Sequence, residues 1–265
     1  MKDGRRFIRT ILLLTLIMGA LTISLMVLAR IRDKNNTYIT IDIGTMKLVQ
    51  LEGPKEGDPI AIIDTTEGEI RMLLYPQYSP NAVKNFTELA EKGYYDNTYI
   101  FDTQDGAYAG CGAKKSNGAV GDDTDERIER ELSQDLWPLR GAVCMINTEY
   151  SRTLKEKFLG GGTYYCGSRF DILNSIKFTD DISNDLRESS PRKDLAEAFI
   201  TKGGIPNFSQ QMTIIGQTYE GLDVVDKLAS LKYEENGAYN QPVPDAMIRS
   251  IRISTYSSKD EKTEK

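Results

Sequence analysis

Any chemistry in this chain has to run without imidazole. Its 265 residues include no histidine, which removes the commonest general base and the commonest metal ligand. Thiols are the next candidates. Cys111, Cys144 and Cys166 show no CxxC spacing, and their odd number leaves two states open: one disulfide with one free thiol, or three thiols. Three scattered thiols without histidine do not suit a zinc centre, and a cysteine nucleophile would lack an imidazole base. The expectation is small buried residues in strands, with no metal and no other cofactor. Gly160-Gly161-Gly162 could open a phosphate-binding loop, but the Lys-Ser/Thr continuation is missing and a surface loop is expected instead. Chemistry is left to carboxylates, amides and guanidinium groups, and it depends on the elements that place them.

The composition suits one sizeable domain with accessories, since 40% of residues are hydrophobic and only nine are proline. A formal charge of −6 hides an asymmetry: residues 1–34 carry seven Lys or Arg against two Asp, a net of +5, which leaves −11 for the body. An acidic body argues against nucleic acid as a partner. Thr10 to Ala29 is a run of twenty uncharged residues, long enough at about 1.5 Å per residue to cross the roughly 30 Å of a bilayer core. Lys2, Arg5, Arg6 and Arg9 precede it and favour a cytoplasmic N-terminus, although Arg30, Arg32 and Lys34 weaken the contrast. The expectation is a single-pass anchor in the cell membrane with an extracytoplasmic C-terminal body. The competing expectation is a cleaved secretory signal ending at Val27-Leu28-Ala29, against which the length of the run speaks.

Beyond the apolar run, Tyr38 to Asp42 alternates in the manner of a half-buried strand and Met46 to Leu51 could be its partner. Ile60 to Asp64 and Glu69 to Tyr75 read as a hairpin about Thr66-Glu67-Gly68. Ser79 is placed as a helix N-cap, with Pro80 next, apolar residues at Val83, Phe86, Leu89 and Ala90, and Gly93 as the stop. Strands are expected at Gly141 to Asn147, Gly167 to Leu173, Thr213 to Thr218 and Met247 to Ile253. Further helices are expected at Pro191 to Lys202 and Leu222 to Leu231. Many strands with two or three helices suit a closed antiparallel barrel capped by helices. The segmentation is a basic segment 1–9, a membrane helix 10–29, a linker 30–59 with possible extra strands, a body 60–256 and a charged tail 257–265.

Several ordered blocks in the body resemble the cyclophilin-type peptidyl-prolyl cis-trans isomerase family. Thr65-Thr66-Glu67-Gly68-Glu69-Ile70, Ser79-Pro80-Asn81-Ala82-Val83-Lys84-Asn85-Phe86 and Gly93-Tyr94-Tyr95-Asp96 are similar to its opening. Leu139-Arg140-Gly141 through Met145-Ile146-Asn147 resembles its arginine-glycine strand, and Gly167-Ser168-Arg169-Phe170-Asp171-Ile172 its Gly-Ser-Gln-Phe-Phe-Ile strand. Gly216-Gln217, Gly221 to Lys227 and Pro242-Val243-Pro244-Asp245 resemble later blocks. The resemblance implies a mainly β fold, the eight-stranded antiparallel cyclophilin barrel, and isomerase activity in protein folding on proline-containing peptides or exported proteins.

The resemblance also implies a catalytic arginine that favours the twisted prolyl nitrogen while an apolar pocket grips the ring. Here Asp102 stands at the arginine position, and an ionised carboxylate only accepts hydrogen bonds. No catalytic residue is intact on this reading. Ala107-Tyr108 and Gly110 replace Phe-Met and Gln, Asp171 replaces the second Phe, and Phe208 and Met212 replace Leu and His. The groove candidates are Tyr108, Ile146, Asn147, Arg169, Phe170, Asp171, Phe208 and Met212. Asn147 resembles the asparagine that bonds substrate backbone, and Arg169 could pair with Asp102 or Asp171, the preferred expectation, or reach a substrate carbonyl. Two functions compete: a membrane-anchored isomerase of weak or lost activity, and a pseudoenzyme that binds a peptide or cell-envelope partner. A barrel serving only as a spacer on a membrane stalk is a third.

Overall fold

A hairpin opens the body. Pro59–Thr65 (β1) and Gly68–Leu74 (β2) pair antiparallel from Ile60↔Leu73 to Thr65↔Gly68. Thr65 builds the turn: its hydroxyl donates to Gly68 O (2.7 Å) and accepts from the amides of Glu67 and Gly68 (both 3.1 Å). Gly68 has a φ of 142°, and a Cβ there would stand 2.7 Å from Val224 Cγ2.

The structure is a computed structural model that describes residues 2–35, 38–120 and 127–258. Residue 1 of the basic segment and residues 259–265 of the charged tail lie outside the described residues. The chain divides into two units, Met1–Thr37 with Glu149–Tyr164, and Tyr38–Thr148 with Tyr165–Lys265.

The remaining strands, which lie in the larger unit except for residues 149–150 of β6 and 163–164 of β7, are Thr98–Gln104 (β3), Tyr108–Ala113 (β4), Ile128–Glu129 (β5), Ala142–Tyr150 (β6), Thr163–Leu173 (β7), Thr213–Glu220 (β8), Tyr233–Asn236 (β9), Tyr239–Pro242 (β10) and Ala246–Thr255 (β11). Their order is β4-β3-β11-β1-β2-β8-β6-β7-β5, and a further pairing of β4 with β7 closes eight of them into an antiparallel barrel. Closure removes the exposed edges an open sheet would carry. Alternation sorts the strands: Val143 and Met145 of β6, Phe170 and Ile172 of β7, and Ala109 and Cys111 of β4 fill the interior with Phe86, Tyr95 and Ile63. Their sequence neighbours face outward.

The helix Pro80–Glu91 (α2) sends Ala82, Val83, Phe86 and Ala90 into that core. Ser79 sits at the N-cap as expected but does not cap; its hydroxyl donates to Ile214 O at 2.6 Å. The first turn is satisfied from elsewhere. Glu131 accepts from the amides of Asn81 (3.2 Å) and Ala82 (2.9 Å) and from the Asn81 side chain (2.8 Å), placing a negative charge where the helix dipole favours it. At the other end Gly93 (φ 68°) donates to Ala90 O and Tyr94 to Leu89 O, the paired bonds of a Schellman stop.

The remaining helices of this unit are Asp180–Ser189 (which we label α4), Lys193–Lys202 (α5) and Leu222–Ala229 (α6). The expected helices at 191–202 and 222–231 correspond to α5 and α6; α4 is additional. The strands expected at 38–42 and 46–51 do not form. Those residues make turns and a short 3-10 segment, Val49–Leu51. Their polar backbone is met by side chains rather than a ladder: Asp42 N donates to Gln134 Oε1 (2.8 Å) and Lys47 N to Asp135 Oδ1 (2.7 Å). Met46 packs with Trp137, Leu139, Leu195 and Phe199 as a plug of its own. An alternating pattern here reflects packing onto loops and α5, not pairing with a strand.

The smaller unit holds the helix Lys2–Asn35 (α1) and the short helix Leu154–Leu159 (α3). Thr10–Arg32 of α1 is long and apolar enough to cross a membrane, and none of it is buried. Near the end of α1, Arg32 pairs with Glu149 (3.0 Å) and Asn35 Nδ2 donates to Leu159 O (2.8 Å). Gly160 belongs to the loop after α3, where a Cβ would stand 2.8 Å from Arg32 O. Gly160 to Gly162 form a loop, as expected, but Gly160 and Gly162 are buried and only Gly161 lies on the surface.

Candidate functional site

Three strands set the candidate groove. The register aligns Asp102 of β3 with Gly110 of β4, and Gly110 with Asp171 of β7. Asp102 would share the inward direction of Ile100 by simple alternation, but a bulge between them shifts the register and turns Asp102 to the outer face. Gly110 lets the two acids lean together: its Cβ position is 3.0 Å from Asp102 Cβ, 3.1 Å from Phe101 Cζ and 3.3 Å from Asp171 Oδ1. A glutamine there would have no room.

Beside the acids runs an apolar wall. Tyr108, two residues before Gly110 on β4, lies against Phe208 with ring centroids 5.9 Å apart. Both pack with Met212, Leu173, Cys144 and Ile214 in an outer cluster distinct from the barrel interior. Asn147 of β6 donates from Nδ2 to Gln211 O (2.9 Å), while its Oδ1 is buried with no partner among the described residues. Ile146 beside it is half-buried.

Two expectations need correction. Phe170 is not a groove residue; it is fully buried inside the barrel, edge-on to Phe86 and Tyr95 at 5.6 and 5.7 Å. Alternation that turns Asp171 outward necessarily turns Phe170 inward. Arg169 pairs with neither acid among the described residues. Its Nη1 donates to Gly118 O and to the Tyr239 hydroxyl, each at 3.0 Å, and its guanidinium lies 5.6 Å from the Phe101 ring centroid. A carbonyl, a phenol and an aromatic face hold the cation away from Asp102 and Asp171.

The structure adds residues that the sequence argument missed. Asp102 Oδ1 accepts from Gln104 Nε2 (2.9 Å) and from the Asn240 amide (2.8 Å). Asn240 Nδ2 also donates to Thr103 O, and Tyr239 stands edge-on to Phe101 at 4.9 Å. Asn240 and Tyr239 belong to the β9–β10 hairpin, whose signal was present in Gly237-Ala238, a two-residue loop with glycine first (φ 67°) between two short runs. Arg140 is also committed, to Asp226 (2.7 Å) and Asn174 (2.9 Å).

Burial dominates the electrostatics. It pushes the Asp171 carboxyl up to about 8, with the nearby charge of Asp102 adding to the rise and Arg169 opposing it. Asp171 is therefore largely protonated at neutral pH. Burial, then Asp171 and Asp102, raises the Tyr108 phenol. All three cysteines are free and buried. Burial pushes Cys111 and Cys144 well up, with Asp171 contributing, and Cys166 to about 12, with Glu131 contributing. None is a thiolate nucleophile at neutral pH. No group of three or more His, Cys, Asp and Glu that could hold a metal ion occurs among the described residues.

A model of the family described as cyclophilin type peptidyl-prolyl cis-trans isomerase/CLD matches residues 60–159. A provisionally named bifunctional phosphatase/peptidyl-prolyl cis-trans isomerase of Streptococcus pyogenes serotype M6 is 27% identical over 218 residues, or 78% of this chain. The match spans 41% of that relative's length. A provisionally named peptidyl-prolyl cis-trans isomerase of Staphylococcus epidermidis is 26% identical over 200 residues, covering 72% of this chain and 90% of the relative. A solved cyclophilin-type isomerase of Cryptosporidium parvum, crystallised in the presence of the dipeptide Ala-Pro, shares the fold. Its TM-score is 0.52 at 19% identity, over 74% of this chain and 99% of that one. Over residues 60–159 the chain is thus similar to the cyclophilin-type peptidyl-prolyl cis-trans isomerase family, and its barrel is the fold of the solved cyclophilin-type structures.

Proposed function

We propose that this chain is a membrane-anchored, extracytoplasmic cyclophilin-type protein whose groove binds proline-containing segments of exported proteins and isomerises them weakly. In this reading residues 1–9 are cytoplasmic, 10–29 span the membrane, 30–59 link to the body, 60–256 form the barrel domain and 257–265 are a tail. Tyr108, Ile146, Phe208 and Met212 supply the apolar wall for the ring, and Asn147 meets the bound backbone by exchanging its bond to Gln211 O for one to the peptide. The observation that carries weak turnover is the acceptor character of Asp102, whose carboxylate is held by the Asn240 amide and Gln104. Stabilising a twisted prolyl nitrogen requires a donor aimed at it, and the guanidinium groups of Arg169 and Arg140 are committed elsewhere.

The test is NMR exchange spectroscopy on a short Ala-Pro peptide with the full chain in detergent micelles. Binding with exchange far slower than an ordinary cyclophilin gives is the expected result. A rate equal to an ordinary cyclophilin's would overturn weak turnover. Binding with no exchange at all would select the pseudoenzyme, which the acid at the donor position also favours.

A further inference from the structure

Among the described residues the acidic end of the groove holds no cation paired with its two carboxyl groups. Asp171 is only 7% exposed, and its carboxyl, unlike its backbone, forms no hydrogen bond to a described residue. Both side-chain hydrogen bonds to the Asp102 carboxyl among the described residues fall on Oδ1. The cation that would ordinarily neutralise such a pair, Arg169, turns to Gly118 and Tyr239. Two carboxylates without a third ligand do not make a divalent-cation site. They do match the planar fork of a guanidinium, which has donors on more than one edge and stacks on aromatic faces such as the Tyr108 ring.

We infer that Asp102 and Asp171 form a subsite for an arginine side chain of the polypeptide held in the groove, so that the protein selects proline-containing segments bearing arginine near the proline. This rests on the peptide-binding reading above and adds a specificity to it. An arriving guanidinium favours the ionised form of Asp171, so binding displaces the proton that Asp171 holds at neutral pH. The groups facing Asp171 are Asp102 from β3, Tyr108 and Cys111 from β4, Cys144 from β6 and Arg169 on its own strand. Burial keeps the phenol and both thiols neutral at pH 7, which leaves Asp171 as the group that titrates. Affinity for arginine segments therefore rises with pH up to about 8.

The experiment is calorimetric titration of the full chain in micelles with blocked Ala-Arg-Pro-Ala and Ala-Ala-Pro-Arg, each against its neutral citrulline counterpart. At pH 8 at least one arginine peptide should bind about tenfold tighter than its counterpart, as a charge-assisted pair demands. At pH 7 its heat should vary with the ionisation enthalpy of the buffer, because a proton is released. In Asp171→Asn, which keeps the side chain's shape, the preference should fall severalfold or more. Equal binding of arginine and citrulline peptides overturns the inference and leaves the groove reading standing. Absence of binding by every peptide overturns both. A preference undiminished in Asp171→Asn also overturns the assignment to this pair.

Discussion

Asp171 meets Asp102 over Gly110: the Cβ position of the glycine lies 3.0 Å from Asp102 Cβ and 3.3 Å from Asp171 Oδ1. Two acids from different strands share one nearly dry site, and Asp171 responds by holding its proton to about pH 8. Because that value is raised above the ordinary 3.8, its contribution to stability is complete below pH 4 and is lost as pH rises towards 8. Asp171→Asn should remove this slope. Urea unfolding across pH 4–8 should show the unmodified protein losing at most about 1.4 kcal/mol per pH unit relative to the variant.

Gly110→Ala should destabilise the barrel. The added methyl would crowd Asp102 Cβ at 3.0 Å and Phe101 Cζ at 3.1 Å, neither of which is the free end of a flexible chain. Overpacking of this kind costs about 1–3 kcal/mol, and a lowered urea midpoint at unchanged slope would register it.

Asp102→Arg alone should leave isomerisation slow. The new guanidinium would face the Asn240 amide and Gln104 Nε2, both donors, and Asp171 would compete for it. NMR exchange rates on a short Ala-Pro peptide check this; a rate restored to that of an ordinary cyclophilin would refute it.

Glu131→Gln should weaken the start of α2. The carboxylate accepts from Asn81 and Ala82 where the helix dipole is positive, and losing its charge should cost about 1 kcal/mol. Thermal or urea unfolding measures the loss, with hydrogen exchange at Val83 and Lys84 as a local readout.

Thr10 to Ala29 should remain attached and resist extraction from membranes by alkaline carbonate, because its uncharged length matches a bilayer core. A soluble mature chain beginning at Arg30 would contradict this.

Much of the fold is legible along the chain because its signals are local. The hairpin about Thr65–Gly68 follows from a two-residue turn between β-rich runs, and α2 from Pro80, an apolar stripe and Gly93. Asp102 could be recognised as an acceptor at a donor's position from its place among the ordered blocks. Local pattern misled at 38–51, where alternation served packing around Met46 rather than strand pairing.

What only tertiary structure decided were relations between distant segments. The β4–β7 pairing set Asp171 beside Gly110, and the bulge in β3 turned Asp102 to join it. The β9–β10 hairpin supplied the amide that holds Asp102, 138 residues away in sequence, and the phenol that draws off Arg169, 70 residues away. Residue type sets what a group can donate or accept, whereas its partner depends on which strands close the barrel and how their register falls. A carboxylate's proton, in turn, depends on how much water that closure leaves around it.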